Sequence, residues 1–168
     1  MKYEFTGQTK TVNGVTVHQI KRLSDGTIGG WIESEKNLDQ DGDCFVYDNA
    51  RVYGNARVYG NARVFGNAVI YGNAMVYGAA EVSGDAEVSG NAVVYGDASV
   101  YGNALVYGNA RVYGNAVIYG NAMVYGNAWV YGNALVYGNA RVSGNAVVYD
   151  NSRVSGNARV YGNDVITD

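Results

Sequence analysis

The stretch Val52-Tyr53-Gly54-Asn55-Ala56-Arg57 decides the fold, because the chain repeats this six-residue phrase, with small changes, from residue 46 to residue 166. Its aliphatic position recurs at twenty-one consecutive sites from Val46 to Ile166, each six residues after the last. A fixed short period of this kind is typical of repeat proteins, in which each unit packs on its neighbours. The phrase therefore predicts a stacked repeat over nearly three quarters of the chain.

Within one unit, the alternation of side chains predicts a short strand followed by a corner. In Ala56-Arg57-Val58-Tyr59, taken as a four-residue strand, Ala and Val point to one side while Arg and Tyr point to the other. The Gly60-Asn61 pair that follows predicts a turn, since both residues tolerate positive φ. A helix is excluded because it needs apolar positions every three to four residues.

Three units per turn are the simplest arrangement that encloses the Ala and Val side chains. We therefore predict an all-β fold, a triangular parallel β-helix (β-solenoid) with eighteen residues per coil. The 121 residues from 46 to 166 give between six and seven coils. At the usual strand spacing of about 4.8 Å, the rod would be roughly 30 Å long.

The unit Val58-Tyr59-Gly60-Asn61-Ala62-Arg63 resembles the hexapeptide repeat of left-handed parallel β-helix proteins, many of which are trimeric acyltransferases. The Tyr-Gly-Asn-Ala wording is more similar to a branch of repeat proteins of bacteria and phages, mostly of unassigned function. The stretch Gly29-Gly30-Trp31-Ile32-Glu33-Ser34-Glu35 also resembles the N-terminal part of that branch. The resemblance implies left-handed winding.

The composition argues against several classes of function. The chain contains 24 Gly and no Pro, which suits tight corners and uninterrupted ladders. A net charge of −3 argues against a nucleic-acid binder, and no apolar run is long enough to span a membrane. The segment Met1–Phe5 lacks the apolar run of a signal peptide. We therefore expect a cytoplasmic or virion-associated protein.

Residues 1–37 break the period and predict an N-terminal β-hairpin cap on a β-helix of residues 38–168. Two strand-like runs flank Asn13-Gly14, the strongest short-range hairpin signal. A cap is needed because an open coil end exposes unpaired strand edges. We expect Trp31 and Ile32 to plug the first coil.

Three irregular features are predicted to be structural. Cys44 occupies an inward Ala position, which predicts a small buried residue and not a nucleophile. The run Asp39-Gln40-Asp41-Gly42-Asp43 has the carboxylate spacing of a calcium loop but lacks its downstream Glu, so we interpret it as a tight acidic turn and predict no metal site. Asp164 falls at another inward Ala position, which predicts that the last coil opens to solvent.

His18 is the only histidine, and it lies in the predicted hairpin. The acyltransferases that the repeat resembles use a His as general base in a cleft between subunits, often reached by loops that project from the coil. No such loop interrupts the period from 46 to 166. We therefore predict no catalytic residue and no cofactor. An acyltransferase-like enzyme and a phage-encoded inhibitor of a host protein are the alternatives.

If eighteen residues make one coil, outward residues eighteen apart form columns on three faces. On the first face Tyr recurs without interruption, beside a mostly apolar column. We call these residues the aromatic face: Tyr59, Tyr77, Tyr95, Tyr113, Tyr131 and Tyr149, with Met75, Val93, Trp129 and Val147. Ser residues interrupt the other two Tyr columns, which begin at Tyr53 on the second face and at Tyr47 on the third.

Two interpretations of the Tyr columns remain open. Stacked Tyr can simply stabilise the ladder, by a few tenths to about 1 kcal/mol for each cross-strand pair. A large exposed apolar patch, in contrast, is typical of an interface. We predict a non-enzymatic structural or protein-binding module whose aromatic face contacts another subunit or a partner protein.

Overall fold

A computed structural model describes residues 1–168 as a three-sided parallel β-solenoid with an antiparallel hairpin at its N-terminal end. Three strands precede the repeats: β1 (Tyr3–Val12), β2 (Val15–Arg22) and β3 (Ile28–Ile32). Asn13 and Gly14 form the turn of the predicted hairpin, with φ of 49° and 80°. The single helical segment is a 3₁₀ turn, Glu35–Asn37. No helix is therefore long and apolar enough to cross a membrane.

Twenty-one short strands follow. Except in the first and the last, each is made of one outward residue and the buried aliphatic residue after it. They are β4 (Phe45–Val46), β5 (Arg51–Val52), β6 (Arg57–Val58), β7 (Arg63–Val64), β8 (Val69–Ile70), β9 (Met75–Val76), β10 (Glu81–Val82), β11 (Glu87–Val88), β12 (Val93–Val94), β13 (Ser99–Val100), β14 (Leu105–Val106), β15 (Arg111–Val112), β16 (Val117–Ile118), β17 (Met123–Val124), β18 (Trp129–Val130), β19 (Leu135–Val136), β20 (Arg141–Val142), β21 (Val147–Val148), β22 (Arg153–Val154), β23 (Arg159–Val160) and β24 (Val165–Ile166).

The prediction of four-residue strands is wrong, because the regular strand geometry covers only two residues of each unit. Hydrogen bonds between coils nevertheless continue into the corner. The Tyr59 N–H donates to the Val76 carbonyl at 3.1 Å, and the Asn61 N–H donates to the Gly78 carbonyl at 2.8 Å. The positive φ of the corner Gly ends the extended geometry without ending the ladder.

The strands form three sheets, one for each face of the rod. The order is β1-β2-β3-β5-β8-β11-β14-β17-β20-β23 on the second face, β6-β9-β12-β15-β18-β21-β24 on the aromatic face, and β4-β7-β10-β13-β16-β19-β22 on the third. Paired residues such as Val94 and Val112 are eighteen apart, which confirms the predicted coil length. Eight coils are stacked from β3 onward. The first coil takes twenty residues, because Trp31 pairs with Arg51.

The core is one continuous column of inward Ala and aliphatic side chains. From Cys44 to Val148 these residues are at most 1% exposed. Burial of each Val contributes about 1.5–3 kcal/mol. The predicted burial of Cys44 is confirmed, since it fills an Ala position at 0% exposure. Burial also raises the pKa of its thiol. Asp164 is exposed, as its sequence position predicts.

The corners require Gly for reasons of both conformation and space. Gly96, for example, has φ of 73°, and a Cβ placed there would lie 3.0 Å from the backbone N of Gly114 in the next coil. Asp48 and Asp150 replace Gly at two corners and adopt the same left-handed conformation, with φ of 53° and 59°. Stacked corners of this kind hold neighbouring coils in close contact.

The cap closes the first coil in a way that differs in part from the prediction. Ile32 is fully buried as expected. Trp31 is not a plug, because alternation along β3 turns its ring outward, where the Lys10 ammonium lies 4.2 Å from the ring centroid. Tyr3 and Ile20, from β1 and β2, belong to the same buried cluster as the coil valines. These two residues provide the apolar cover that Trp31 does not.

Candidate functional site

The six Tyr rings of the aromatic face form one uninterrupted stack. Their centroids are 4.7–5.3 Å apart and neighbouring ring planes differ by 5–13°. The spacing follows directly from the distance between coils, since each ring projects from the same position of successive strands. The column that the period predicted is therefore present over six coils.

The stacking determines which atoms of the Tyr rings are accessible to a partner. Because the rings lie face to face, each ring covers the next, and their faces point along the rod. The ring edges and hydroxyls point away from the core, and none of the six hydroxyls has a hydrogen-bond partner within the chain. The surface is thus a row of phenol groups and not a sheet of exposed ring faces.

Crowding of the rings affects their ionisation. Burial raises the pKa of the Tyr59, Tyr95 and Tyr113 phenols, and the neighbouring phenols of the stack raise it further. A phenolate in the stack would lose solvation and repel its neighbours. The phenols of Tyr59, Tyr95 and Tyr113 therefore stay protonated and neutral at physiological pH.

The column beside the stack supplies the apolar part of the face. The register joins the residues Arg57, Met75, Val93, Arg111, Trp129, Val147 and Val165 in that order. Trp129 is 41% exposed, and the Arg111 guanidinium lies 5.3 Å from its ring centroid. The column contains two cations in its first six positions and no acid.

The other two faces carry the same kind of stack in shorter pieces. Tyr107 and Tyr125 stack at 4.9 Å on the second face, and Tyr101, Tyr119 and Tyr137 stack at 5.1 and 5.0 Å on the third. Stacking itself is therefore a general property of the repeat. What distinguishes the aromatic face is the continuity of its stack and the lack of acidic residues beside it.

An Asn ladder borders the aromatic face at one corner. Each side-chain Nδ2 donates to the Oδ1 of the Asn one coil further on, at 2.9–3.2 Å. The residues are Asn55, Asn73, Asn91, Asn109, Asn127, Asn145 and Asn163. At the opposite border Ala79 and Asp97 interrupt the ladder, which resumes from Asn115 through Asn133 to Asn151. The Asn ladder is therefore continuous at one corner of the aromatic face and interrupted at the other.

The residues considered for chemistry lie in the cap or at the cap end of the rod, where the Asp39 N–H donates to the Val58 carbonyl at 3.0 Å. The His18 ring packs against Phe5, with centroids 5.1 Å apart. In the acidic run, Asp39 Oδ1 accepts a hydrogen bond from the Asp41 N–H at 3.1 Å, which confirms a tight turn. No group of three or more His, Cys, Asp or Glu residues is arranged to hold a metal ion.

The largest hollow, about 870 Å³, lies between the cap and the third face. Its cations already have partners. Lys2 Nζ lies 2.9 Å from Cys44 Sγ, and Arg22 donates to Tyr47 Oη at 2.7 Å and to Asp25. Arg63 is ion-paired with Glu81 at 3.1 Å. The contacts of Lys2 with Cys44 and of Arg22 with Tyr47 join the cap to the first coils.

The stacked coils, buried Ala and Val columns and Asn corners define a parallel β-solenoid repeat protein. The family model described as the YdcK beta solenoid repeat matches ten overlapping segments, which together cover residues 45–84 and 98–167. This chain therefore belongs to the YdcK beta-solenoid repeat family. Residues 85–97 lie outside the matched segments, yet β11 and β12 keep the regular register there. No curated protein matches the sequence.

Proposed function

We propose that the protein is a non-enzymatic β-solenoid module that binds a protein surface through its aromatic face. The observation that carries this proposal is the unbroken six-ring stack beside Met75, Val93, Trp129 and Val147. Apolar residues next to Tyr are the composition that protein interfaces favour, because large rigid side chains give contact area at a small entropic cost.

The geometry suggests how a partner would be recognised. Phenol hydroxyls without internal partners provide hydrogen-bonding groups at intervals of about 5 Å along the rod. A second β-solenoid or a strand stack has backbone and side-chain groups at the same interval. Another copy of the chain is therefore the first partner to test.

The test uses Trp129 as a reporter of this face. In a Trp31→Phe background Trp129 is the only indole, and quenching of its fluorescence by acrylamide measures access to the ring. We expect quenching to decrease several-fold as the protein is concentrated, because a bound copy covers Trp129. Quenching that is independent of concentration would contradict binding of a second copy through this face.

A pair of double variants provides the matched comparison. Tyr95→Ser with Trp129→Ser should lower the average mass in sedimentation, since it interrupts the stack and removes the most exposed indole. The control is Tyr101→Ser with Leu135→Ser on the third face, where Tyr101 is 39% exposed, close to Trp129. An equal loss of mass in both variants would indicate general destabilisation and would contradict the proposal.

A further inference from the structure

The second face has a nearly palindromic order of residues along the rod. Its Tyr column begins at Tyr53, which is buried and hydrogen-bonded to Asn13 of the cap. The rest of the column reads Tyr71, Ser89, Tyr107, Tyr125, Ser143 and Tyr161, which is the same in both directions. After Arg51, the outward column beside it reads Val69, Glu87, Leu105, Met123, Arg141 and Arg159. Reversal of this column places Leu105 opposite Met123 and Glu87 opposite Arg141.

We propose that two copies of the chain pair through their second faces, with the rods antiparallel and a two-fold axis at the level between β14 and β17. An axis that lies in the interface and crosses the rods at a right angle keeps like columns opposed. Each Glu87 then meets the partner's Arg141. The contact occurs twice in the dimer, once on each side of the axis. Near the axis, Leu105 meets Met123 and Tyr107 meets Tyr125.

The charges of the second face are unpaired within one chain, which favours this arrangement. Glu87 is half-buried and accepts a hydrogen bond from the Tyr71 hydroxyl, but no cation is ion-paired with it. Arg141 and Arg159 are adjacent in the ladder and neither has an acidic partner. Adjacent like charges on a sheet are destabilising, so an acid from a second copy would relieve the repulsion.

The Ser interruptions leave room for the pairing. A hollow of about 260 Å³ surrounds Ser89 and is lined by Glu87, and one of about 390 Å³ surrounds Ser143 and is lined by Arg141. In the antiparallel pair these hollows face each other. The Arg guanidinium can therefore reach the Glu carboxylate without meeting a Tyr ring.

On the third face the corresponding acid already has a cationic partner in its own chain. Glu81 and Arg153 also occupy positions that reversal would oppose, but Glu81 is ion-paired with Arg63 of its own chain at 3.1 Å. The acid of that face is therefore not free for a partner. Glu81 is for this reason a suitable control position.

The size of the face determines how much area a dimer of this kind can bury. Six coils at about 4.8 Å and a flat side of about 16 Å give an area on the order of 500 Å² per copy. The total of about 1,000 Å² is near the lower limit for a specific interface. Interfaces of this size are often weak and transient, so we expect a weak dimer, which sedimentation equilibrium over a wide range of concentration detects.

The test is a charge exchange in the whole chain. Glu87→Arg and Arg141→Glu should each weaken dimerisation at least about tenfold, because each creates two like-charged contacts per dimer. Glu87→Arg combined with Arg141→Glu in one chain should restore it. A mixture of the two single variants should form a heterodimer, since both contacts between the unlike chains are then complementary. Glu81→Arg should leave dimerisation unchanged.

Several outcomes would overturn the proposal. The first is a wild-type chain that stays monomeric at all concentrations, which would leave this face free for a different protein. The second is single variants that dimerise as well as the wild type. The third is a double variant or a mixture that fails to recover while its circular dichroism stays native. A monomeric chain would contradict self-association through either face. In a chain that does associate, the two proposals are distinguished: quenching of Trp129 that is independent of concentration, together with an intact charge-exchange pattern, would contradict only the aromatic face. The reverse pair of results would contradict only the second face.

Discussion

The first fifty residues and the repeats after them are stabilised in different ways. In the repeats every coil supplies the same contacts, namely buried Ala and aliphatic side chains and ladder hydrogen bonds. In the first fifty residues single side chains make contacts that no other residue repeats. The Tyr3 hydroxyl, for example, donates to the Leu38 carbonyl at 2.8 Å. Stability is therefore distributed evenly in the repeats and concentrated at a few positions in the cap.

Asn37 is the strongest example of such a concentrated contact. Its buried amide donates to the Gly54 and Ala56 carbonyls at 3.0 and 2.9 Å and accepts from the Ser34 N–H at 2.9 Å. It thereby joins the cap to the coil below. A single Asn in the cap thus satisfies three backbone groups.

The largest effect is expected from removal of this amide. Asn37→Ala leaves backbone groups unsatisfied, so we expect the free energy of unfolding in urea to fall by about 3 kcal/mol. The matched control is Asn115→Ala, which removes one exposed ladder bond and should cost about 0.5 kcal/mol. Similar losses in the two variants would show that the cap and the repeats do not differ as described.

A smaller effect, equal at several sites, is expected in the repeats. Val94, Val112 and Val130 occupy equivalent positions in successive coils and are all 0% exposed. Replacement of each one by Ala should cost about 2 kcal/mol, and the three values should agree because the surroundings repeat. Urea denaturation of the three variants measures this. A steady change in cost with distance from the cap would contradict the even distribution.

A still smaller, stabilising effect is expected at an interrupted corner. Asp85 accepts a hydrogen bond from Asn67 at 3.0 Å, but its carboxylate has no N–H to donate to Asn103. Asp85→Asn completes this ladder and should raise the free energy of unfolding by about 0.5 kcal/mol. Asp168→Asn removes the same charge outside the ladder and serves as the control. An equal gain in both would assign the effect to charge alone.

The smallest effect on stability appears only at alkaline pH. The unfolded chain loses its Tyr protons near the ordinary pKa of about 10, whereas burial raises the folded-state pKa of Tyr59, Tyr95 and Tyr113. The unfolded state then binds fewer protons, so stability is unchanged below about pH 9 and decreases above about pH 10.

Melting temperatures and phenolate absorbance between pH 8 and pH 12 follow this change. Burial also raises the pKa of Tyr3 in the cap, so we expect its phenol to ionise above the ordinary range as well. Phenols of the Tyr stack that titrate at the same pH as those of a denatured control would contradict the prediction.

Most of the repeat could be predicted from the sequence because its period fixes its geometry. The spacing of six gives the corner, three corners close a coil, and residues eighteen apart then become neighbours. The columns that contain Tyr95 and Trp129 follow from this arithmetic, and the register confirms it. No assumption about individual contacts is needed.

The cap and the details of the site were less predictable, because they depend on single contacts. The pattern gives no reason to expect a buried Asn37, whose partners belong to a coil seventeen to nineteen residues away. Trp31 is large and apolar, which suggested a plug, yet alternation within β3 turns it outward. The Ser interruptions and the neighbouring Glu87 and Arg141 follow from the sequence columns, but the hollows of about 260 and 390 Å³ around Ser89 and Ser143 become apparent only in the structure.

The eighteen-residue coil has a consequence for insertions and deletions. Loss or gain of three units leaves every later side chain on its original face. Loss or gain of one unit preserves the buried Ala and Val pattern, but it moves every later residue to the next side of the prism. Duplication errors in a gene of this kind would thus exchange whole surfaces at little cost to folding, and new combinations of faces would arise without a single point mutation.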